Sequence, residues 1–150
     1  MRIQEIMSDH VHTVAPGLDA EDAWQMMQTN GIRHLVVAED ANVVGVLSDG
    51  DAGGRHGGAI RKGATVADLM DRHVLTVGRT DTVRKAANLM NGHLVGCVPV
   101  VERGRLVGVV TVSDMLTLVG GGAGRPSHNA RAALHHRVAH RKGRTATGRW

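Results

Sequence analysis

Two stretches decide the fold: Gly45-Val46-Leu47-Ser48-Asp49-Gly50-Asp51 and Gly108-Val109-Val110-Thr111-Val112-Ser113-Asp114. Each reads Gly-x-x-[Ser/Thr]-x-x-Asp at the end of an apolar run, and they lie 63 positions apart. Carried outward without a gap, that register aligns residues 3–51 with residues 66–114, and 13 of the 49 pairs are identical. Met7 falls on Met70, His10-Val11 on His73-Val74, Thr13-Val14 on Thr76-Val77, Ala23 on Ala86 and Met27 on Met90. A repeat of this length means two copies of one supersecondary unit. About 50 residues bury too little surface to stand alone, so the copies should pack face to face.

Each copy carries the same plan. A short strand ends at Thr13-Val14 or Thr76-Val77. A helix follows, opened by Asp19 or Thr82, whose side-chain oxygens can accept from free N–H groups at a helix start. Its apolar residues recur at helical spacing: Ala20, Ala23, Trp24 and Met27, then Val83, Ala86, Ala87 and Met90. Two apolar runs come next, 34–38 with 43–47 and 97–101 with 106–110. The four-residue polar breaks between them predict hairpins. A short helix is expected after Ser48 and after Thr111. The glycines of Gly53-Gly54-Arg55-His56-Gly57-Gly58 predict a mobile loop between the copies. A second glycine cluster, Gly120-Gly121-Gly122-Ala123-Gly124, marks the end of the folded pair.

With this β-α-β-β-α plan, the copy spacing, the Val98-Pro99-Val100-Val101 run and the two Gly-x-x-[Ser/Thr]-x-x-Asp strand ends, the chain resembles a tandem pair of CBS domains, a Bateman module. The resemblance covers roughly residues 1–120 and implies an α+β, sandwich-like fold with two repeats packed about a pseudo-two-fold axis. The expected division is residues 1–57 for the first repeat with its linker, 58–122 for the second, and 123–150 for a basic tail or helix. The first copy departs from the family pattern at Val36, where proline is favoured, and in the glycine-rich stretch after Asp51, which shortens or loosens its closing helix.

The resemblance implies that an adenosine-containing ligand binds between the repeats: AMP, ADP, ATP or a relative such as S-adenosylmethionine. The residues suit this. The carboxylates of Asp51 and Asp114 can accept from vicinal ribose hydroxyls. Ser48 and Thr111 stand where helix-start N–H groups favour a phosphate. Arg33 and His34 open a strand where the family often places a phosphate-binding basic residue. Their counterparts Gly96 and Cys97 cannot do this, so the two sites should differ. Thr13, Val14, Thr76 and Val77 match positions lining the adenine pocket, mainly through backbone groups. The plainer reading is that Ser-x-x-Asp and Thr-x-x-Asp are capping boxes, that Arg33 is a solvated edge charge, and that the β-branched residues are ordinary strand formers. One residue can also do both, capping in the empty state and binding when ligand arrives.

Composition narrows the alternatives. With no Phe or Tyr and only Trp24 and Trp150, the chain lacks the rings of a single-strand nucleic-acid binder. One cysteine, Cys97, excludes an intrachain disulfide framework. The longest apolar run, residues 94–101, is strand-sized, far below the roughly 18 residues of a membrane span. No signal-peptide segment opens the chain, so the expectation is a cytoplasmic protein without membrane association. All 14 acids lie at or before Asp114, against 11 basic side chains in that region, a net −3. Beyond it stand seven basic residues and no acid. The pI of about 10.2 therefore describes the tail and not the domain.

Ala130, Ala133, Leu134 and Val138 give that tail a thin apolar stripe, consistent with a helix from Ser127 to about Arg141. His10-Val11-His12 and His136-x-x-x-His140 have metal-compatible spacing but lack companion ligands, and no metal is expected. No nucleophile with a paired base and no Gly-x-x-x-x-Gly-Lys loop is present, so an enzyme is not expected. The reading is a homodimeric ligand-sensing module that requires no cofactor and signals to an unknown effector protein. The alternative is a dimeric adaptor that meets nucleic acid or protein through its basic tail, its repeat sites empty.

Overall fold

A computed structural model describes residues 1–120. The expected tail helix, its basic face and His136/His140 lie outside these residues. A 3-10 turn at Ile3–Glu5 leads to strand β1 (Thr13–Val14), helix α1 (Ala20–Asn30) and the hairpin β2 (His34–Glu39) and β3 (Asn42–Ser48). Two short helices come next, α2 (Gly58–Arg61) and α3 (Val66–Leu69). The second copy supplies α4 (Val83–His93), β4 (Cys97–Glu102), β5 (Arg105–Thr111) and α5 (Val112–Gly120). This is the α+β fold the resemblance implied.

The helix starts form as read. Asp19 accepts from the N–H groups of Glu21 and Asp22, and Thr82 accepts from that of Lys85. Both hairpin turns are tighter than the polar breaks suggested. Glu39 pairs with Asn42 and Glu102 with Arg105, so two residues turn the chain, with Asp40 and Arg103 at positive φ. Each hairpin shifts register once at the same place, between Val37 and Ala38 and between Val100 and Val101.

The sheets differ for a reason visible at one position. In the first copy β1 runs parallel to β2, pairing Thr13 with Val36 and Val14 with Val37, and the Val36 N–H donates to His12 O at 3.2 Å. In the second copy Pro99 stands at the Val36 position and has no N–H. Its contact with the leading strand shrinks to one parallel bridge, Val77 with Val100. The first sheet is therefore three-stranded and the second two-stranded.

The leading segments are exchanged between copies. Ile3, Ile6 and Met7 fill a core with Val77, Ala86, Met90, Val98, Val100 and Val110 of the second copy. Val66 and Met70, which align with Ile3 and Met7, fill the first copy's core with Val14, Ala23, Met27, Leu35 and Leu47. Paired hydrogen bonds fasten each exchange: Ser8 with Val109, both at 2.9 Å, and Asp71 with Val46 at 2.9 and 3.0 Å. The repeat register maps the first pair onto the second, which is the pseudo-two-fold expressed in backbone contacts. Neither copy has a complete core without the other's leader.

This crossing explains the motif glycines. A Cβ at Gly45 would lie 2.6 Å from Met70 Sδ and 2.9 Å from the Asp71 carbonyl. One at Gly108 would lie 2.8 Å from the Ser8 carbonyl and 2.9 Å from Met7 Sδ. Each glycine admits the exchanged leader across β3 or β5.

Candidate functional site

Strand register gathers the motif residues at one end of each sheet. His34 pairs with Ser48 across β2 and β3, and Cys97 with Thr111 across β4 and β5. Arg33 precedes His34, and its carbonyl accepts from the Asp49 N–H at 2.9 Å; the Gly96 carbonyl accepts from the Val112 N–H in the same way. β1 enters beside β2 from this end, so Thr13 borders it. The structure thus brings Arg33, His34, Ser48 and Asp51 together, with Thr13 alongside, and Thr111 and Asp114 together beside Gly96 and Cys97.

Both Ser/Thr–Asp pairs are closed on themselves. The Ser48 N–H donates to Asp51 Oδ2 at 3.1 Å, and the Asp51 N–H donates to Ser48 Oγ at 2.9 Å. The Thr111 N–H donates to Asp114 Oδ2 at 2.7 Å, its hydroxyl reaches the same oxygen at 3.2 Å, and the Asp114 N–H returns to Thr111 Oγ1 at 3.3 Å. These are reciprocal capping bonds. A carboxylate has about four acceptor sites, so capacity for further donors remains. The two carboxylates differ in access: Asp51 is exposed, whereas Asp114 is 4% exposed. Val14 and Val77 point their side chains into the two cores, and they pair with Val37 and Val100, three residues in from His34 and Cys97. Thr13 and Thr76 are exposed.

Beyond the motif the two copies diverge. In the second, α5 begins immediately after Thr111 and runs nine residues. In the first no helix starts at Ser48; the chain makes tight turns, with Ala52 N–H to Ser48 O and Gly54 N–H to Asp49 O, before the four-residue α2. The glycine stretch expected as a mobile loop is instead a packed turn. A Cβ on Gly57 would fall 2.6 Å from Gly53 backbone atoms, and Gly57 is buried. Arg61, 3% exposed, closes this turn. Its guanidinium donates to the carbonyls of Ala52 (2.8 Å) and Gly54 (2.6 Å) and to Glu21 Oε1 (2.8 Å), and it stacks 4.0 Å from the centroid of Trp24. Trp24 Nε1 in turn donates to Asp49 Oδ1 at 3.1 Å.

His34 sits between the copies. A methyl added at Gly96 would lie 3.2 Å from its Cε1 and Nε2, so Gly96 is the notch that receives the ring. Burial, and then the neighbouring Arg33 charge, lower its pKa to about 4, against a smaller opposing pull from Asp49. The imidazole is therefore neutral at neutral pH, and a permanent positive charge on this side comes from Arg33. Opposite, burial and then the Asp114 charge push the Cys97 thiol up to about 12. At this position the second copy offers a neutral thiol and a glycine and no positive charge. Beside it, Met90, Leu94, Val95, Gly96, Val112 and Met115 line an open groove of about 470 Å³ between α4 and α5.

The sequence reading places Trp24 only on the apolar face of its helix and singles out neither Arg61 nor Asp49. Their signal lay in the repeat itself: where the register puts chemistry against none, at Trp24/Ala87 and Asp49/Val112, the copies do different things.

A CBS domain family model matches residues 3–52 and 66–121. The chain belongs to the CBS domain family. Its two matched units make it a CBS pair, and solved CBS pairs share its fold. The crystal structure of the CBS pair of protein MJ0100, in complex with 5-methylthioadenosine and S-adenosyl-L-methionine, superposes with a TM-score of 0.74 at 25% identity, covering 82% of this chain and 98% of that one. The CBS domain-containing protein YhcV of Bacillus subtilis is 26% identical over 114 residues, 75% of this chain and 81% of YhcV. The inosine-5'-monophosphate dehydrogenase of Thermoplasma acidophilum is 29% identical over 117 residues, 77% of this chain but 23% of the enzyme. The CBS pair thus spans about a quarter of the curated enzymes it matches. Among the described residues no helix is long and apolar enough to cross a membrane.

Proposed function

We propose that this CBS pair is a regulatory module without catalytic activity, working in the cytoplasm, that binds an adenosine-containing ligand at its sheet ends and passes the occupancy to a partner protein. The observation that carries the reading is the pair of Ser/Thr–Asp turns at equivalent sheet ends, in a chain whose fold matches a pair holding methylthioadenosine and S-adenosylmethionine. Asp51 and Asp114 receive the ribose hydroxyls, and Ser48 and Thr111 meet the ligand's polar tail. The backbone at Thr13-Val14 and Thr76-Val77 borders the base. Arg33 favours a phosphate at the first site, with His34 as a neutral partner; AMP, ADP and ATP fit there. Gly96 and Cys97 bring no positive charge to the second site, so it suits an adenosine without a phosphate, such as S-adenosylmethionine.

Signalling requires that the ligand bind one arrangement of the module better than another. The exposed apolar face of the second copy, with Leu94 at 91%, Leu116 at 67% and Val119 at 83%, supports pairing of two chains as the arrangement that responds. A basic-tail adaptor is the second reading, favoured by seven basic side chains and no acid after Asp114. It predicts nucleic-acid affinity that falls steeply with salt.

Thermal unfolding with AMP, ATP, S-adenosylmethionine, methylthioadenosine and a guanine nucleotide tests the proposal, with Asp51→Ala and Asp114→Ala alongside wild type. Ligand at about 100 times its Kd adds about 2.7 kcal/mol. An upward shift with adenosine ligands alone, lost in one Asp variant, supports the sensor. No shift with any of them removes it.

A further inference from the structure

We propose that Arg61, acting through Trp24 and Asp49, is the positioning residue of the first site: it holds the Ser48–Asp51 turn in its binding geometry, a task that α5 performs in the second copy. The inference rests on the ligand-sensing reading of these turns and adds the element that makes the first one usable.

The second motif needs no such device. Thr111 is followed at once by nine residues of helix, whose own hydrogen bonds fix the backbone that carries Asp114. Ser48 is followed by Asp49, Gly50, Asp51, Ala52, Gly53 and Gly54, where glycine leaves the backbone many conformations. One guanidinium replaces the helix. Arg61 bridges two carbonyls of the turn, Ala52 and Gly54, which lie on the far side of Asp51 from Ser48. It is anchored to α1 by Glu21, whose carboxyl it holds below its usual range, and by stacking on Trp24. Trp24 then holds the near side through its bond to Asp49, 6% exposed and adjacent to Ser48. Asp51 is thereby clamped from both flanks while its own side chain stays exposed.

The network belongs to one copy only. The repeat register places Arg84 at Glu21, Ala87 at Trp24 and Val112 at Asp49. Burying an arginine at 3% exposure without matched acceptors is strongly unfavourable, and here the described bonds supply them. Both carbonyls accept from Nη1 while Nε holds Glu21 and the guanidinium plane stacks on Trp24. A lysine ammonium, one nitrogen with no plane, cannot keep all of these at once, so Arg61→Lys should fall between wild type and Arg61→Met.

The test uses the full chain with Trp150→Phe, so that Trp24 is the only indole. Wild type, Arg61→Met, Arg61→Lys and Trp24→Phe are compared in two arms, all well below their unfolding midpoints. Amide hydrogen exchange without ligand is expected to show the Asp51 N–H losing protection by about tenfold or more in Arg61→Met, with the Asp114 N–H unchanged. Titration with AMP in an Asp114→Ala background is expected to show first-site affinity falling by a similar factor, with Lys intermediate. S-adenosylmethionine affinity in an Asp51→Ala background should not move. Equal loss of protection at Asp51 and Asp114 would make Arg61 a general stabiliser and overturn the proposal, as would unchanged AMP affinity in Arg61→Met where wild type binds. A wild type that binds neither ligand overturns the sensor reading itself, and the exchange arm then still reports whether Arg61 holds the turn.

Discussion

Replacing Gly45 with alanine should break the exchange that ties the two repeats together. The new methyl would stand 2.6 Å from Met70 Sδ and 2.9 Å from the Asp71 carbonyl. The thioether can swing aside, but the carbonyl cannot, because the Asp71 backbone is bonded in both directions to Val46 at 2.9 and 3.0 Å. Either the leader lifts and those two bonds are lost, or β3 bends. Overpacking of this kind costs about 1–3 kcal/mol, and each lost bond about 1 kcal/mol. A destabilisation of about 2–4 kcal/mol results, which lowers Tm by roughly 4–16 °C in a chain of this size. Gly108→Ala should match it, since Ser8 and Met7 stand in the same relation to β5. Gly50→Ala is the control: its methyl would meet only Ser48 Oγ at 3.8 Å, an ordinary contact. Urea and thermal unfolding measure all three. If Gly45→Ala and Gly50→Ala unfold together, within about 0.5 kcal/mol, the crossing is not where the repeats are held and the reasoning fails.

Three further outcomes rest on single residues. Leu94 ends α4 with φ 55, where the first copy has Gly31 at φ 63, and it is 91% exposed. Leu94→Gly should raise monomer stability by about 1 kcal/mol and weaken self-association measured by sedimentation; stronger association would refute the pairing face. His34 has a folded pKa of about 4 against 6.5 when free, so the unfolded chain binds more protons between those values and the His34 share of stability is lost as pH falls from about 6.5 to about 4. In His34→Gln the Tm–pH curve should be flatter over that window, and an unchanged slope would contradict the burial of the ring. Cys97, buried with its thiol pushed up to about 12, should resist iodoacetamide at pH 8 until denaturant is added; fast native labelling would contradict its placement.

Much of this architecture was legible because the chain states it twice. A single capping residue such as Asp19 or Thr82 is weak evidence, but both recur in register and both cap. The hairpins were legible from their apolar runs, and the shorter turns reflect Glu39 and Asn42 joining the ladder, as polar residues at exposed strand ends do. The exchange was not legible. Local patterning places Ile3 and Met7 with the copy they precede, and only the third dimension sends them to the other core. The motif glycines carried the clue, because a glycine inside an apolar strand implies close backbone approach, though not by which segment. At the sites, the register shift between Val37 and Ala38 sets His34 opposite Ser48, where an unshifted ladder from Glu39 and Asn42 would have set it opposite Leu47; the apolar runs alone did not reveal that shift. Arg61 escaped because nothing in its local sequence distinguishes it from a surface arginine. Its burial stems from the missing helix after Ser48, a tertiary consequence of a glycine-rich loop.

The most direct measurement is the amide spectrum of the full chain titrated with AMP and then with S-adenosylmethionine. The account predicts that AMP shifts the signals of Arg33, Ser48 and Asp51, that S-adenosylmethionine shifts those of Gly96, Thr111 and Asp114, and that each response disappears with its own Asp→Ala variant. Shifts confined to other surfaces, or a spectrum unchanged by both ligands, would contradict the claim that these two sheet ends are the sensing sites.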